Sequence, residues 1–226
     1  MTGKMVEFAS NGVTSKGYLA IPGTGSGPAV IVLQEWWGLV EHIKEVCDRF
    51  AEAGFVALAP DLYHGKAASS PDEAGRMMMA LNIDRTEQDL RGAIDYLLGL
   101  EASTGNKVGT VGFCMGGQLS LYTACANDKV GACVNYYGVH PDVHPDLAAL
   151  NAPVLGFFAE NDRSVPVETA HKLEADLKTA GKDVEMHIYP GAEHAFFNNT
   201  RKEVYNEEYA QDSWKRMTAF FKANLS

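Results

Sequence analysis

Apolar residues recur along this chain with two different spacings, and each spacing predicts a type of secondary structure. Short, nearly continuous apolar runs are typical of strands covered on both faces, whereas an apolar residue at every third or fourth position is typical of an amphipathic helix. The strands predicted in this way are residues 5–10, 16–21, 29–33, 55–59, 108–113, 130–137, 154–159 and 184–189. The predicted helices are residues 40–53, 71–100 (bent or broken near 82–86), 119–126, 167–180 and 202–223.

The order of these elements predicts the fold class. Strands alternate with helices from residue 29 onward, which is the pattern of a parallel sheet connected by crossover helices. The first two strands are instead joined by Asn11-Gly12, a pair that favours a tight hairpin. We therefore expect an α/β fold, with residues 1–226 forming a single domain around one doubly wound, mostly parallel sheet with helices on both faces. In such sheets, binding sites form at the carboxyl ends of the strands.

One strand-to-helix junction carries a candidate nucleophile. The strand at 108–113 is followed at once by Cys114, which lies between Gly112 and Gly116 and precedes a predicted helix. This pattern resembles a nucleophile elbow with sulfur in place of the usual serine oxygen. The amino end of a helix stabilises a thiolate and a developing oxyanion, and the N–H of Met115 is the natural first oxyanion donor. The same small residues would also suit simple packing of a strand against a helix.

Two further reactive side chains follow predicted strands. Asp162 comes after the strand at 154–159, and His194 comes after the strand at 184–189. With Cys114 they follow the order nucleophile, acid, histidine of the α/β-hydrolase fold. A histidine can remove the thiol proton, and a carboxylate bonded to its other ring nitrogen fixes the required tautomer. Taken separately, Asp162 could cap the next helix and His194 could be an ordinary loop histidine, but together they indicate catalysis.

Two other segments could bind ligands, although each has a simpler interpretation. The three consecutive methionines at 77–79 could line an adaptable pocket or fill space in the core. His140 and His144 have the spacing of metal ligands on one helix face. Pro141 and Pro145 disfavour that helix, so we interpret the segment as a surface loop and expect neither a metal nor a cofactor.

Charge and composition limit the classes of partner. A formal charge of −10 argues against nucleic acid or an anionic membrane, whereas a small-molecule site sets its own local field. No apolar run approaches the ~20 residues that span a bilayer, and no leader pattern precedes Met5, so we expect a cytoplasmic protein. The four cysteines are irregularly spaced and do not predict a disulfide framework. We expect a monomer or a weak homodimer.

The candidate residues belong to a larger set of motifs that resembles the dienelactone hydrolase family. The resemblance extends over nearly the whole chain. The motifs that carry it are Lys16-Gly17-Tyr18-Leu19, Gln34-Glu35 with Gly38, Ala59-Pro60-Asp61-Leu62-Tyr63, residues 112–117, Tyr136-Tyr137-Gly138-Val139, Asp162 with Val165-Pro166, and His194-Ala195-Phe196. The cysteine elbow and the Gln-Glu pair together distinguish this set from serine esterases. The resemblance implies an α/β-hydrolase fold and hydrolysis of an enol-lactone, dienelactone, or a related ester or lactone.

The resemblance also implies roles for individual residues. Cys114 would be the nucleophile, His194 the base, and Asp162 the acid that orients the base. Glu35 matches a glutamate that contacts the resting thiol and helps to activate it when substrate binds. The backbone N–H of Trp36 corresponds to the second oxyanion donor.

The chain departs from the family where the family binds the substrate carboxylate with two arginines. Asn198 stands where one arginine is expected, and no arginine matches the other position, near Pro71. Arg76 and Arg201 are nearby but out of register, so the role is not transferred to them. The substrate-pocket residues that we expect are Trp37, Phe196, Asn198 and Arg76, with Trp36 and Phe197 adding to an aromatic mouth.

These considerations predict a carboxylic ester hydrolase that acts through a Cys-His-Asp triad and a thioester intermediate. Its substrate is expected to be a broader or different ester or lactone than dienelactone itself. A thiol-dependent acyltransferase would use the same intermediate. A non-catalytic α/β scaffold would instead keep Cys114 as a redox-sensing thiol.

Overall fold

Eight strands form one sheet in the computed structural model of the protein, which describes residues 3–225. The strands are β1 (Lys4–Ser10), β2 (Val13–Ala20), β3 (Gly27–Leu33), β4 (Val56–Pro60), β5 (Ser103–Phe113), β6 (Val130–Tyr136), β7 (Val154–Ala159) and β8 (Val184–Tyr189). The helices are α1 (Glu41–Glu52), α2 (Pro71–Met79), α3 (Ile83–Leu98), α4 (Met115–Ala126), α5 (Val167–Thr179) and α6 (Glu207–Asn224). A short 3-10 helix covers Leu147–Ala149.

The strand directions place the candidate residues at the carboxyl ends of the parallel strands. The order is β1-β2-β4-β3-β5-β6-β7-β8. Strands β3 to β8 are parallel, whereas β1 and β2 form an antiparallel hairpin and β2 pairs antiparallel with β4. After β3 the chain adds β4 on one side of that strand, and it then adds β5 on the other side. The carboxyl ends of β3 and β5 therefore form a topological switch point, which is where α/β sheets bind ligands. The predicted fold class is confirmed.

Alternate residues of the central strands pack into two separate cores, because successive strand side chains point to opposite faces. Val30 and Val32 of β3 lie in a core with α1 and α6. Ala29, Ile31 and Leu33 of the same strand lie in the opposite core with α3 and α4. Both faces of the sheet are therefore covered by helices, which explains why the strands are almost continuously apolar. Within residues 3–225, no helix has the length and hydropathy needed to cross a membrane.

Two helices start at other residues than the sequence predicted. The last helix begins at Glu207 rather than residue 202, because the side chain of Asn206 accepts a hydrogen bond from the N–H of Tyr209. Helix α4 begins at Met115 rather than residue 119, directly after the turn at Cys114. The predicted bend or break near 82–86 is confirmed, because the side chain of Asn82 accepts from the N–H of Arg85 and starts α3.

The junction between β5 and α4 is packed so closely that it tolerates only glycine at two positions. A Cβ atom on Gly112 would lie 1.9 Å from the carbonyl oxygen of Gly116. A Cβ atom on Gly116 would lie 2.4 Å from the carbonyl oxygen of Leu33. These distances are far below van der Waals contact, so the first turn of α4 can approach β5 and the end of β3 only without those side-chain atoms.

The substitution Gly112→Ala is expected to lower the free energy of unfolding by about 3 kcal/mol or more, at or above the usual cost of overpacking. Urea unfolding followed by circular dichroism measures the change. Gly75→Ala is the matched control, because its Cβ would meet only the ring of Trp36 at 3.9 Å. Because Gly75 lies within α2 and alanine favours helices more than glycine does, Gly75→Ala should leave the free energy of unfolding unchanged or raise it by up to ~1 kcal/mol. Equal stability of the two variants would contradict the close approach.

Candidate active site

Cys114 occupies a strained turn whose backbone is fixed by several hydrogen bonds. Its φ of 54° and ψ of −120° lie in a region that non-glycine residues rarely adopt. Its N–H donates to the carbonyl oxygen of Tyr136 at 3.1 Å. Its carbonyl oxygen accepts from the N–H of Gly117 at 2.9 Å and from the N–H of Val139 at 3.2 Å. The surrounding backbone therefore holds the sharp strand-to-helix turn that the glycine spacing predicted, and the nucleophile role of Cys114 stays a prediction.

The elbow directs the Cys114 side chain to the amino end of α4. Met115 is the first residue of that helix, so its N–H belongs to the first turn, where no intrahelical acceptor exists. The helix dipole adds partial positive charge at the same place. The close contact between Gly116 and Leu33 also brings the segment after β3, with Glu35 and Trp36, beside the elbow.

Asp162 and His194 are hydrogen-bonded to each other. The Nδ1 atom of His194 lies 2.6 Å from Oδ2 of Asp162, whose side chain is fully buried. The other carboxylate oxygen accepts from the N–H of Ser164 at 2.7 Å and from the N–H of Val165 at 2.9 Å. Asp162 thus orders the turn that leads to α5 and is bonded to the imidazole at the same time. It does not cap α5, because the N-cap residue is Pro166 and no side chain caps that helix. Its role as the orienting acid stays a prediction.

The electrostatic surroundings favour the protonated form of His194. Burial alone would lower the pKa of the imidazole, but the hydrogen bond to Asp162 and the proximity of Cys114 together raise it to about 10. The Nε2 atom is buried and has no hydrogen-bond partner among residues 3–225. With Nδ1 bonded to Asp162, Nε2 is the ring nitrogen left for proton exchange.

Cys114 and His194 line one cavity of about 700 Å³. Three other predicted residues, Glu35, Trp36 and Trp37, also contribute to its wall. Cys114 is only 7% exposed, but this opening gives a ligand access to the sulfur. Two residues that follow different strands, Cys114 and His194, and the segment that follows β3 therefore meet around a single space, whereas Asp162 is buried and does not line it.

Three residues expected in the substrate pocket do not line this cavity. Phe196 is fully buried, and its ring packs edge-on against Tyr137 and Tyr189. Asn198 is also buried and is bonded to Glu35. Arg76 lies on α2 outside the cavity wall. The expectation that Phe196 and Phe197 form an aromatic mouth is wrong, because both rings are in the core.

The cavity wall contains further residues besides the catalytic and substrate-pocket residues expected from the sequence. They are Met78, Val139, Asn161, Arg163, Ser164, Glu193, Ala195, Arg201 and Val204. Arg163 and Ser164 could have been recognised, since they directly follow Asp162 at the end of β7. Arg201 donates from Nε to Glu203 at 2.9 Å and lies in an irregular loop, which gives no periodic signal. Met78 confirms the pocket interpretation for one residue of the methionine run.

Glu35 is a carboxylate almost completely removed from water, with 1% of its surface exposed. Burial raises its pKa, and the hydrogen bond from Asn198 together with the charges of His194 and Arg201 opposes that rise. The Nδ2 atom of Asn198 donates to Oε2 of Glu35 at 2.8 Å. A buried carboxylate beside a nucleophile is a common feature of acid–base sites, because burial brings its pKa towards neutrality.

His140 connects two parts of the cavity wall. Its Nε2 atom lies 3.1 Å from the carbonyl oxygen of Met78, and its Nδ1 atom accepts from the N–H of Asp142 at 3.1 Å. The ring nitrogens are therefore used in contacts with α2 and with the loop backbone. The predicted loop conformation of 140–146 is confirmed. No group of three or more potential metal-binding side chains occurs in the part of the chain that the structure describes.

Among α/β enzymes, this sheet order and the sharp turn at Cys114 define the α/β-hydrolase fold. The chain matches the Dienelactone hydrolase family over residues 15–225 and belongs to that family. Membership confirms the expected class, that of a dienelactone hydrolase-like ester or lactone hydrolase.

The chain is similar to individual relatives over nearly the whole length of both proteins. Protein usf of Aquifex pyrophilus is 41% identical, with 99% of this chain and 100% of that protein covered. A protein of Aquifex aeolicus, provisionally named a carboxymethylenebutenolidase, is 36% identical, with 99% of each chain covered. A crystal structure from Klebsiella pneumoniae, provisionally described as a dienelactone hydrolase, superposes with a TM-score of 0.87 at 30% identity, covering 98% of this chain and 99% of that one.

Replacing Asp162 with Asn is expected to lower the pKa of His194 well below about 10, because burial then acts without the opposing carboxylate. NMR titration of the imidazole measures this change. In the wild type, the raised pKa of His194 adds to the free energy of unfolding. This contribution is fully present below the ordinary pKa of 6.5, and it is lost as the pH rises through about 10. Asp162→Asn should weaken that pH dependence of stability.

Glu185→Gln provides the matched control for this substitution. It removes a carboxylate that lies 2.6 Å from His187, an imidazole remote from the cavity wall. The titration of His194 should be unchanged in this variant. A pKa of His194 that stays near 10 in Asp162→Asn would show that the carboxylate is not the cause.

Proposed function

We propose that the protein hydrolyses a small ester or lactone by transferring the acyl group first to Cys114 and then to water. The observation that carries this proposal is the position of His194. Its Nδ1 is bonded to Asp162, and its Nε2 remains unpartnered within residues 3–225, in the same cavity wall as Cys114. This is the arrangement that a histidine needs to exchange a proton with a nucleophile.

In the first half-reaction, the Cys114 thiolate attacks the carbonyl carbon and a sulfur–carbon bond forms. The N–H groups of Met115 and Trp36 stabilise the negative oxygen of the tetrahedral intermediate. When the intermediate collapses, the carbon–oxygen bond breaks and the leaving alkoxide takes a proton from Nε2 of His194. The product is a thioester, and in a lactone the new alcohol stays attached to the acyl chain.

In the second half-reaction, water replaces the alcohol. His194 takes a proton from the water as its oxygen attacks the thioester carbon. The carbon–sulfur bond then breaks, the acid leaves, and Cys114 returns to the thiolate. Glu35, in the same wall, acts as an additional proton acceptor for the resting thiol, so that Cys114 reaches its reactive form.

Charges around the cavity support a broad or neutral substrate. The wall carries two arginines, Arg163 and Arg201, and two carboxylates, Glu35 and Glu193. The same wall holds His194, whose raised pKa favours the imidazolium, and the proposed Cys114 thiolate, so the charges still balance and the cavity has no strong preference for an anion. Trp36 and Trp37 add apolar surface, with their rings in an edge-on pair 5.3 Å apart.

The substitution Cys114→Ala is expected to reduce hydrolysis of p-nitrophenyl acetate by at least ~1,000-fold, because no acyl-enzyme can form. Cys125→Ala, which removes a half-buried thiol of α4, is the matched control and should retain activity. Mass spectrometry of a quenched reaction should find the acetyl group on Cys114. Unchanged turnover in a folded Cys114→Ala protein would exclude Cys114 as the nucleophile.

Neutral short-chain esters and lactones are expected to be hydrolysed with kcat/KM at least about tenfold above that for dienelactone. Arg201 is paired with Glu203, and the carboxylates of the wall offset the charge of Arg163, so neither arginine is reserved for a substrate anion. An anion bound without a dedicated charged partner forgoes a charge-assisted hydrogen bond, which is worth ~1.5–3 kcal/mol. Steady-state kinetics on a panel of these substrates measures the ratio, with Cys114→Ala as the background. A higher kcat/KM for dienelactone would contradict the expected preference.

A further inference from the structure

His140 is a buried side chain that joins helix α2 to the loop after β6. It is 5% exposed, and its Nε2 atom lies 3.1 Å from the carbonyl oxygen of Met78. Its Nδ1 atom accepts a hydrogen bond from the N–H of Asp142 at 3.1 Å, so the ring proton is on Nε2. The imidazole therefore donates to the end of α2 and accepts from its own loop.

The loop that carries His140 is fixed on both sides of the ring. Before it, the N–H of Val139 donates to the carbonyl oxygen of Cys114 at 3.2 Å. After it, the Nε2 atom of Gln118 on α4 donates to the carbonyl oxygen of Val143 at 3.0 Å, and Val143 is almost fully buried. The turn at Cys114 and the helix that follows it therefore give the imidazole a fixed support.

Helix α2 is bonded to the rest of the protein much less extensively. Ala74 is its one buried residue, and Met79 is 52% exposed. In the described part of the chain, the bond to His140 is the one hydrogen bond that joins α2 to a distant segment. Its other hydrogen bonds lie within the helix or involve residues directly beside it. The end of α2 also borders a second cavity, of about 230 Å³, which Met77 and Ala80 help to line, so it is not tightly packed on every side.

The two segments that His140 joins form part of the same cavity wall. Met78 of α2 and Val139 of the loop both line the cavity of about 700 Å³ that Cys114 borders. His140 does not line this cavity, but it restrains the distance between the two. A methionine side chain is flexible and adapts to its neighbours, so the width of the cavity at this wall depends mainly on where the backbone of α2 lies.

We propose that His140 is a positioning residue that holds α2 against the loop after β6 and thereby restricts the site to substrates with short acyl groups. A long acyl chain on Cys114 lies along the wall formed by Met78 and Val139, and α2 makes room for it only when the bond to His140 breaks. The inference rests on the proposed function, because it assigns the acyl-chain selectivity of the same site.

Two substitutions separate the two hydrogen bonds of the ring. In His140→Asn, the side-chain oxygen can replace Nδ1 as the acceptor for Asp142, but no donor reaches Met78. In His140→Gln, the longer amide can replace Nε2 as the donor to Met78. The quantity to measure is kcat/KM for p-nitrophenyl octanoate divided by kcat/KM for p-nitrophenyl acetate.

This ratio should rise by at least about tenfold in His140→Asn, because a pocket discriminates by about this factor for each methylene that it excludes. In His140→Gln it should stay within about threefold of the wild-type value, less than the effect of one methylene. The rise should come mainly from a lower KM for the octanoate. A purely structural role would lower the activity towards both esters alike and leave the ratio unchanged.

His144→Ala is the matched control. This second histidine of the same loop is exposed and does not line the cavity. Its substitution removes an imidazole from the loop but leaves the bond between His140 and Met78 in place. The ratio and the thermal stability should both remain as in the wild type.

Alkylation of Cys114 tests the same wall without turnover. The rates for iodoacetamide and for the bulky benzophenone maleimide can be followed by peptide mass spectrometry. The rate for the bulky reagent, relative to the small one, should rise in His140→Asn and not in His140→Gln. Failure of the proposed function, seen as activity in Cys114→Ala, is therefore distinguishable from failure of this inference.

Met78→Ala widens the wall from the helix side and leaves the buried ring in place, so it tests the inference even where His140→Asn does not fold. It should also raise the octanoate-to-acetate ratio. An unchanged ratio in Met78→Ala overturns the inference, and so does an equal shift in His140→Asn and His140→Gln. If His140→Asn lowers thermal stability but keeps the wild-type ratio, His140 only anchors the loop and the inference is likewise overturned.

Discussion

The active site depends on a contact between backbone atoms at the start of α4. Gly112 and Gly116 allow the first turn of this helix to lie against β5 and against the end of β3. That single approach determines where the Cys114 sulfur and the N–H of Met115 are, and which residues after β3 lie beside them. Strain at Cys114, with φ of 54°, is maintained because the neighbouring strands hold its N–H and carbonyl groups.

Around this contact, the site is assembled from strand ends in which polar groups are buried with partners. Asp162 accepts hydrogen bonds from two backbone N–H groups and is bonded to one imidazole, so its buried oxygens are fully partnered. Glu35 has one hydrogen-bond donor, Asn198, among the described residues, and burial raises its pKa. The two buried carboxylates at this end of the sheet therefore differ in how fully they are hydrogen-bonded.

Much of this arrangement could be predicted from the sequence, because Cys114, Asp162 and His194 each come shortly after a recognisable strand of the sheet. In a parallel sheet, all strands end on the same side, so residues that directly follow the strands gather at the carboxyl end of the sheet. Side-chain direction within irregular loops was not predictable. Ala195 has a φ of 66°, which turns the chain after His194 and sends Phe196 into the core instead of the cavity. The same loop buries Asn198, and only the coordinates show its contact with Glu35.

The imidazole of His140 ties Met78 at the end of α2 to the loop that begins with Val139, and both of these residues border the cavity. Because its Nδ1 accepts a hydrogen bond from the N–H of Asp142, the proton of the neutral ring resides on Nε2 and points to the carbonyl of Met78. The imidazole thus links the end of α2 to the 139–142 loop, and it restrains the distance between two segments of the cavity wall without lining the cavity itself.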